Sequence, residues 1–163
     1  MTDKEYNNAV DLYADGVYRF IVKNIRHQDD AKDIVQTAFE KLWVNRAAVD
    51  SLKIKSYLFT VAYHQMIDHI RQGTKMVTTG DFETVNNHTT YQKDGELKQL
   101  LLQAINELNP TQKSLVLLKD YEGYSYQEIG EIMSLSESQV KVYLHRARLQ
   151  LKHKLVHLEK VSA

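Results

Sequence analysis

Two helix-start signals lie close together near the C-terminus of this chain. Ser125 is followed three residues later by Glu128, and Ser136 is followed three residues later by Gln139. Each pair fits a capping box, in which the two side chains satisfy free backbone N–H groups at the start of a helix. Apolar residues recur at helical spacing after each box. The pattern therefore predicts two helices joined by a very short turn.

The second of these helices has one apolar side and one basic side. At about 100° per residue, its apolar stripe consists of Val140, Leu144, Ala147, Leu151 and Leu155. The opposite side and its flanks present Ser138, Lys141, Val142, His145, Arg146 and Arg148. A short helix, a tight turn and a longer basic helix predict a helix-turn-helix whose second helix suits the major groove of DNA. An ordinary helical hairpin with a solvated basic face is the alternative.

The composition favours an all-α fold. The 163 residues include only one proline and six glycines, and no run of 18 apolar residues occurs. The absence of cysteine excludes disulfides, thiolate zinc sites and cysteine nucleophiles. No signal-peptide pattern opens the sequence, so we expect a cytoplasmic protein without membrane insertion.

Positive charge is concentrated in two parts of a chain whose net charge is zero. Residues 51–76 have a net charge of +3 and residues 136–163 a net charge of +4, whereas the segments around them are net negative. This distribution predicts two separate contacts with nucleic acid, each weak without a further partner.

The first 50 residues predict two amphipathic helices. The first runs from about Lys4 to Arg26 and the second from about Ala31 to Asn45, with Asp30 and Asp33 suited to the N-terminal cap of the second. The inner face of the second helix is assigned to Ile34, Val35, Ala38, Phe39, Leu42 and Trp43. Its outer face is polar and of mixed charge, which a solvated surface alone would also explain.

Aromatic and basic residues occur together between Ser51 and Lys75. Tyr57, Phe59 and Tyr63 are interspersed with Lys53, Lys55, Arg71 and Lys75. Stacking rings and nearby cations are typical of proteins that bind single-stranded nucleic acid. Aromatic residues at helical spacing also occur in ordinary cores, and the pattern alone does not decide between the two.

The segment 73–95 loses helical periodicity and is rich in Thr, Asn, Asp and Gly. We interpret it as a flexible linker between two small helical domains, 1–72 and 96–163. The second domain is predicted to contain four helices: an amphipathic helix around Leu97 to Leu108, a helix that starts at Asn109-Pro110 and ends near Gly123, and the helix-turn-helix.

Enzyme and metal patterns are weak in this sequence. Residues 29–33 fit a DDxxD magnesium-diphosphate motif, but the second aspartate-rich run that such enzymes need is absent. His153 and His157 have the spacing of helical zinc ligands, without a carboxylate between them. We therefore predict no catalytic residues, no metal site, no cofactor and no enzymatic activity.

Three segments together resemble the extracytoplasmic-function (ECF) class of bacterial RNA polymerase sigma factors. They are DDAKDIVQTAFEKLW (29–43), SYLFTVAYHQMIDHIR (56–71) and the segment from Glu107 to Arg148. The resemblance implies a protein that binds core RNA polymerase, through the clamp helices of its largest subunit and its flap, and directs it to promoter DNA. It also implies a possible anti-sigma factor as partner.

The resemblance also implies roles for individual residues. Contacts with polymerase are implied for Asp33, Gln36, Thr37 and Glu40. Contacts with the minus-ten element, read as single strand, are implied for Tyr57, Tyr63, His64, Asp68 and Arg71. In the double-stranded minus-thirty-five element, bases are assigned to Lys141, Val142, His145 and Arg146, and phosphates to Ser138, Tyr143 and Arg148. Gly130 stands where the family usually has alanine, and we expect it to weaken its helix by about 1 kcal/mol.

A stand-alone helix-turn-helix transcription regulator is the alternative function. It would explain the segment from Tyr124 to Leu155 but leaves the aromatic and basic residues between Tyr57 and Arg71 without a role. Binding of duplex DNA without polymerase, as a dimer on a palindrome, would favour it.

Overall fold

The computed structural model describes the backbone of residues 1–76 and 93–162, and the side chains of residues 1–73 and 95–161. All regular secondary structure in these ranges is helical, as predicted. The N-terminal half contains α1 (Asp3–Ile25), α2 (Gln28–Val44) and α3 (Ile54–Met76). A short 3-10 turn at Ser51–Lys53 leads into α3.

The C-terminal half contains the four predicted helices. They are α4 (Lys93–Asn106), α5 (Pro110–Val116), α6 (Tyr126–Met133) and α7 (Glu137–Ser162). A π-helical turn at Leu117–Tyr121 continues α5. As predicted, Asn109 caps α5 by accepting a hydrogen bond from the Gln112 N–H at 2.8 Å.

The segment predicted as a linker, residues 73–95, lies mostly outside the described residues. At its two ends the helices continue further than predicted, because α3 runs to Met76 and α4 begins at Lys93. The loss of apolar periodicity at Gly73 therefore does not mark the end of α3.

The start of α2 differs from the prediction. The helix begins at Gln28, and its N-terminal cap is His27, whose Nδ1 accepts a hydrogen bond from the Asp30 N–H at 3.2 Å. Asp29 and Asp30 instead lie in the first turn, where negative charge favours the helix dipole. Histidine is not a preferred cap, so sequence preferences pointed to the nearest aspartate instead.

The two halves pack against each other around one continuous core. Helix α3 lies against α6 and α1 contacts α5, in addition to the packing within each half. Phe20, Phe59 and Tyr124 meet where the halves join and are each at most 1% exposed. We call this junction the seam. None of the helices in residues 1–76 and 93–162 is long and apolar enough to cross a membrane.

Candidate nucleic-acid and polymerase interfaces

The predicted helix-turn-helix is formed by α6 and α7. The Ser125 hydroxyl accepts the Glu128 N–H at 3.1 Å and donates to the Glu128 carboxylate at 3.0 Å. At the second box, Gln139 N–H donates to the Ser136 hydroxyl at 3.1 Å and Ser136 N–H donates to the Gln139 side chain at 2.9 Å. Both predicted helix starts are therefore confirmed.

The turn between these helices is closed by backbone hydrogen bonds. Ser134 ends α6 in a left-handed conformation with φ of 58°, and its N–H donates to the Gly130 carbonyl. The Leu135 N–H donates to the same carbonyl at 2.9 Å. This arrangement satisfies the end of α6 and turns the chain directly into α7.

The two sides of α7 differ in burial as the periodicity predicted. Val140, Leu144 and Ala147 are at most 1% exposed and pack in the core of the C-terminal half. Tyr143 is half-buried, whereas all the other residues predicted to contact the minus-thirty-five element are exposed: Ser138, Lys141, Val142, His145, Arg146 and Arg148. The exposed residues form one surface of the helix, which we call the α7 face.

Two cations of the α7 face already have acidic partners. Lys141 Nζ lies 3.6 Å from Glu137, one turn earlier on the helix. Arg148 donates to Asp120 at 2.7 Å and 3.4 Å, and this hydrogen bonding raises the pKa of its guanidinium. Asp120 thus holds the Arg148 side chain in place, a contact that sequence analysis missed because the two residues are 28 positions apart.

The residues predicted to bind the minus-ten element differ in their exposure, and Tyr57 is half-buried. His64, Asp68 and Arg71 are exposed on α3. Tyr63 is only 8% exposed, and burial raises the pKa of its hydroxyl. The Tyr57 hydroxyl donates to the Lys41 carbonyl at 3.4 Å and accepts from the Asn45 amide at 3.1 Å, which ties α3 to the end of α2.

His64 occupies the accessible side of this group. Its ring lies 5.6 Å from the Tyr63 ring at an angle of 62°, an edge-to-face arrangement. Tyr63 therefore limits the orientations of the imidazole from one side while the other side faces solvent.

Part of the aromatic and basic segment of α3 contacts the C-terminal half. Phe59 is 1% exposed and lies 5.1 Å from the Tyr124 ring. Lys55 Nζ lies 4.4 Å from the centre of the same ring. In this arrangement these two residues contact protein, although their pattern suggested nucleic acid.

The outer face of α2 is polar, as predicted. Asp33, Gln36 and Glu40 are exposed, and Gln36 donates a hydrogen bond to Glu40 at 3.2 Å. Thr37 is half-buried, and its hydroxyl donates to the Asp33 carbonyl at 2.9 Å. This local bond leaves the Thr37 hydroxyl less available to a partner.

Two open grooves border this outer face. One, of about 530 Å³, lies between α1 and α2, and its apolar wall includes Tyr6, Val35 and Phe39. The other, of about 290 Å³, lies between α2 and α3 and is mainly polar. It brings Asp33 and Thr37, predicted for polymerase, beside Asp68, predicted for the minus-ten element.

One accessible cation–π pair near the end of α2 was missed by the sequence analysis. Trp43 was assigned to the inner face of α2, but it is 37% exposed, and the Arg46 guanidinium lies 4.1 Å from the centre of its ring. Trp43 lies in the last turn of α2, and its ring also contacts the Tyr6 ring, with ring centres 4.9 Å apart. Leu52, in the turn before α3, is 91% exposed.

No group of three or more potential metal-ligating side chains occurs in the described part of the chain. Asp29, Asp30 and Asp33 lie in the first turns of α2, and Asp30 contacts His27 and His69, each at 3.3 Å. The aspartates of the DDxxD pattern therefore lie at the start of α2, where Asp30 contacts two histidines.

Comparison with known proteins identifies both halves. Residues 9–76 match the family description "Sigma-70 region 2", and residues 98–151 match "Sigma-70, region 4". The first range covers α2 and α3 and the second covers the helix-turn-helix, in the order of the two predicted domains.

Solved structures share the fold. The sigma factor RpoE of Bartonella quintana, in complex with the anti-sigma factor NepR, has a TM-score of 0.74 at 21% identity over 93% of this chain and 97% of that one. CnrH, in complex with the cytosolic domain of CnrY, has a TM-score of 0.72 at 17% identity over 96% of this chain and 90% of that one.

Relatives of similar length match along most of the chain. The RNA polymerase sigma factor YlaC of Bacillus subtilis is 29% identical over 91% of this chain and 92% of its own length. The ECF RNA polymerase sigma factor SigM of Bacillus subtilis is 30% identical over 147 residues, which is 86% of this chain and 89% of SigM. The chain therefore belongs to the ECF family of RNA polymerase sigma factors.

Proposed function

We propose that three helices of this sigma factor bind three different targets. Helix α2 binds core RNA polymerase, α3 binds the minus-ten element as single strand, and α7 reads the minus-thirty-five element as duplex. The protein acts in the cytoplasm and has a regulatory role. RNA synthesis itself is catalysed by the polymerase.

The α7 face is the observation that supports this proposal most directly. Val142 is 47% exposed beside Arg146 and His145, on the side opposite the buried stripe. An apolar side chain can contact a thymine methyl group, and an arginine can bind guanine through two hydrogen bonds. We assign base contacts to Lys141, Val142, His145 and Arg146, and phosphate contacts to Ser138, Tyr143 and Arg148.

For the minus-ten element we assign His64 the central role on α3. Neutral imidazole has one donor, one acceptor and a flat ring, so it can hold an unpaired base by stacking. The exposure of His64 beside the Tyr63 ring supports this assignment. Asp68 and Arg71, one and two turns further along, extend the same surface.

We assign polymerase binding to the outer face of α2. Asp33, Gln36 and Glu40 are exposed on it, and packing of the opposite side against α1 and α3 fixes its orientation. We also propose that an anti-sigma factor controls this protein. The support is that RpoE, which shares its fold, is described in complex with the anti-sigma factor NepR.

In vitro transcription tests the assignment of α7. We expect Arg146→Ala holoenzyme to lose about 1–3 kcal/mol of promoter binding and to relax specificity at one upstream base pair. Lys152→Ala is the matched control, because Lys152 is an exposed cation further along α7 outside the proposed surface. Equal effects of the two substitutions at every promoter position would contradict a base contact by Arg146.

The stand-alone regulator is not favoured. A helix-turn-helix regulator needs only the part that matches region 4, whereas this chain also matches region 2 over residues 9–76. Transcription from a genomic fragment that requires both this protein and its host's core polymerase separates the two functions, because a stand-alone regulator would bind DNA as a dimer without polymerase.

A further inference from the structure

Arg148 on the α7 face is held by an acidic residue from a different element. Asp120 lies in the π-helical turn that continues α5. Its carboxylate accepts hydrogen bonds from Arg148 Nη2 at 2.7 Å and from Arg148 Nε at 3.4 Å. Two hydrogen bonds along one edge of a planar guanidinium fix its orientation as well as its position. Asp120 therefore determines where the Arg148 charge lies on the α7 face.

Both ends of this ion pair are anchored in the core. Leu117 and Leu118, in the turn that carries Asp120, are at most 1% exposed. Next to Arg148 on α7, Ala147 is fully buried. Packing holds both backbones in place, so the ion pair joins two fixed points.

The paired guanidinium remains accessible to a further ligand. The side chains of Arg148 and Asp120 are 44% and 39% exposed. A guanidinium has about five N–H donors, of which Asp120 uses about two, so about three remain for a DNA phosphate. Arg148 can therefore keep its bonds to Asp120 while it contacts the phosphate assigned to it above.

Lys141, a second cation of the α7 face, is held differently. Its Nζ lies 3.6 Å from the carboxylate of Glu137, an exposed residue one turn earlier on the same helix. A lysine ammonium is a point charge on a flexible chain, so this single long contact does not fix its direction. Glu137 thus adds a negative charge to the α7 face without orienting its partner, which makes it the matched control for Asp120.

We propose that Asp120 is a positioning residue for promoter binding, which holds the Arg148 guanidinium in the orientation that meets a phosphate of the minus-thirty-five element. This role rests on the proposed reading of that element by α7. An arginine that is free in solution loses side-chain freedom when it binds, whereas an arginine that is already held loses less. Asp120 therefore strengthens DNA binding although its own charge repels the phosphates.

Charge and positioning predict opposite effects of the same substitution. Asp120→Asn removes one negative charge beside the basic α7 face, and as a change of charge alone it would tighten binding to DNA. As a change of positioning it weakens binding, because the amide holds the Arg148 guanidinium with one neutral oxygen in place of two charged ones. The sign of the effect on affinity therefore distinguishes the two.

The test measures promoter binding by holoenzymes assembled from core polymerase and each variant, on a fragment from which the wild-type holoenzyme initiates transcription. We expect Asp120→Asn to weaken binding about 2- to 10-fold. Glu137→Gln makes the same change of charge and should tighten binding by up to about 2-fold. In the Arg148→Ala background, Asp120→Asn should no longer weaken binding. Melting temperatures should stay close to wild type, because an exposed ion pair contributes little to stability.

Replacement of single phosphates locates the contact. Each phosphate of the upstream element is replaced in turn by a neutral methylphosphonate. The position that weakens wild-type binding about 10-fold but does not affect Arg148→Ala marks the Arg148 contact. At this position we expect Glu137→Gln to show the full loss and Asp120→Asn a loss of about 3-fold or less. A pair with a merely structural role would not change the response at one phosphate.

The outcomes separate the two proposals. Tighter or unchanged binding by Asp120→Asn, while Arg148→Ala still weakens binding, would refute the positioning role and leave the proposed function of α7 intact. Equal weakening by Asp120→Asn with and without Arg148 would also refute it, because Asp120 would then act through another group. If Arg148→Ala binds every fragment as wild type does, the phosphate contact is absent, and both the assignment of Arg148 and the role of Asp120 fail.

Discussion

Replacement of Lys113 by Met should remove a pH dependence of stability. Lys113 is 7% exposed in the folded protein, and its pKa is lowered from 10.5 to about 8. The unfolded chain therefore binds a proton more tightly than the folded chain between about pH 8 and pH 10.5. The free energy of unfolding must rise with pH across this interval, because deprotonation removes the cost of burying the charge.

The size of the effect follows from the pKa difference. Each pKa unit corresponds to about 1.36 kcal/mol, so the free energy of unfolding rises by about 3 kcal/mol in total. About 2.5 kcal/mol of this rise occurs between pH 7 and pH 10. Above pH 10 an opposite effect begins, because burial raises the pKa of several tyrosines and the folded chain then holds the proton more tightly. These are Tyr6, Tyr63, Tyr121 and Tyr124.

Urea unfolding followed by circular dichroism at pH 7, 8, 9 and 10 measures the effect. The difference in the free energy of unfolding between wild type and Lys113→Met isolates the contribution of Lys113, because both proteins contain the same tyrosines. We expect this difference to increase by about 2.5 kcal/mol in favour of wild type from pH 7 to pH 10. Lys98→Met, at an exposed lysine, is the matched control. Parallel pH profiles of wild type and Lys113→Met would refute the burial of a charged Lys113.

Three further predictions concern the proposed interfaces. Asp33→Ala combined with Gln36→Ala should weaken binding to core polymerase in a titration while the melting temperature stays nearly unchanged, and equal affinity would exclude α2 from the interface. The free protein should bind duplex promoter DNA poorly, because the C-terminal +4 segment neutralises few phosphates; nanomolar binding at physiological salt in a gel-shift assay would contradict this. His64→Ala should impair melting of the minus-ten element but keep upstream binding, and His64→Asn should change the preferred base. If both His64 holoenzymes open promoters varied at each minus-ten position at the wild-type rate, the role of His64 is structural.

Local patterns predicted most of the fold and the α7 face. Apolar periodicity depends only on residues a few positions apart, so it placed Val140, Leu144 and Ala147 in the core and Arg146 on the surface. The capping boxes predicted both helix starts for the same reason. Trp43 was placed wrongly because periodicity gives the side of a helix but not how completely the neighbouring elements cover that side.

The seam could not be predicted because its partners are distant in sequence. Asn24 is 89 residues from Lys113 and 90 from Ser114, and neither Lys113 nor Ser114 belongs to an apolar pattern. Phe59 illustrates the same limit, since its neighbours Lys55 and Tyr63 suggested a nucleic-acid surface whereas Tyr124 covers it in this arrangement. A sequence pattern shows which side of a helix is apolar, but it does not show which remote segment covers that side.

For Gly130→Ala, helix propensity and three-dimensional packing predict stability changes of opposite sign. Helix propensity alone predicts that Gly130→Ala stabilises α6 by about 1 kcal/mol. In the structure, however, an added Cβ would lie 2.6 Å from the Leu135 carbonyl oxygen, a backbone atom held by the tight turn into α7. Relieving this overlap should cost about 1–3 kcal/mol, so we expect a net loss of stability.

Urea unfolding of Gly130→Ala decides which effect is larger. Ser134→Gly is the matched control in the same turn, because Ser134 has a φ of 58° and glycine adopts this conformation without strain. It should raise the free energy of unfolding by about 1 kcal/mol. If Gly130→Ala is instead more stable than wild type, the turn moves to accept the methyl group, and helix propensity determines the effect at this position.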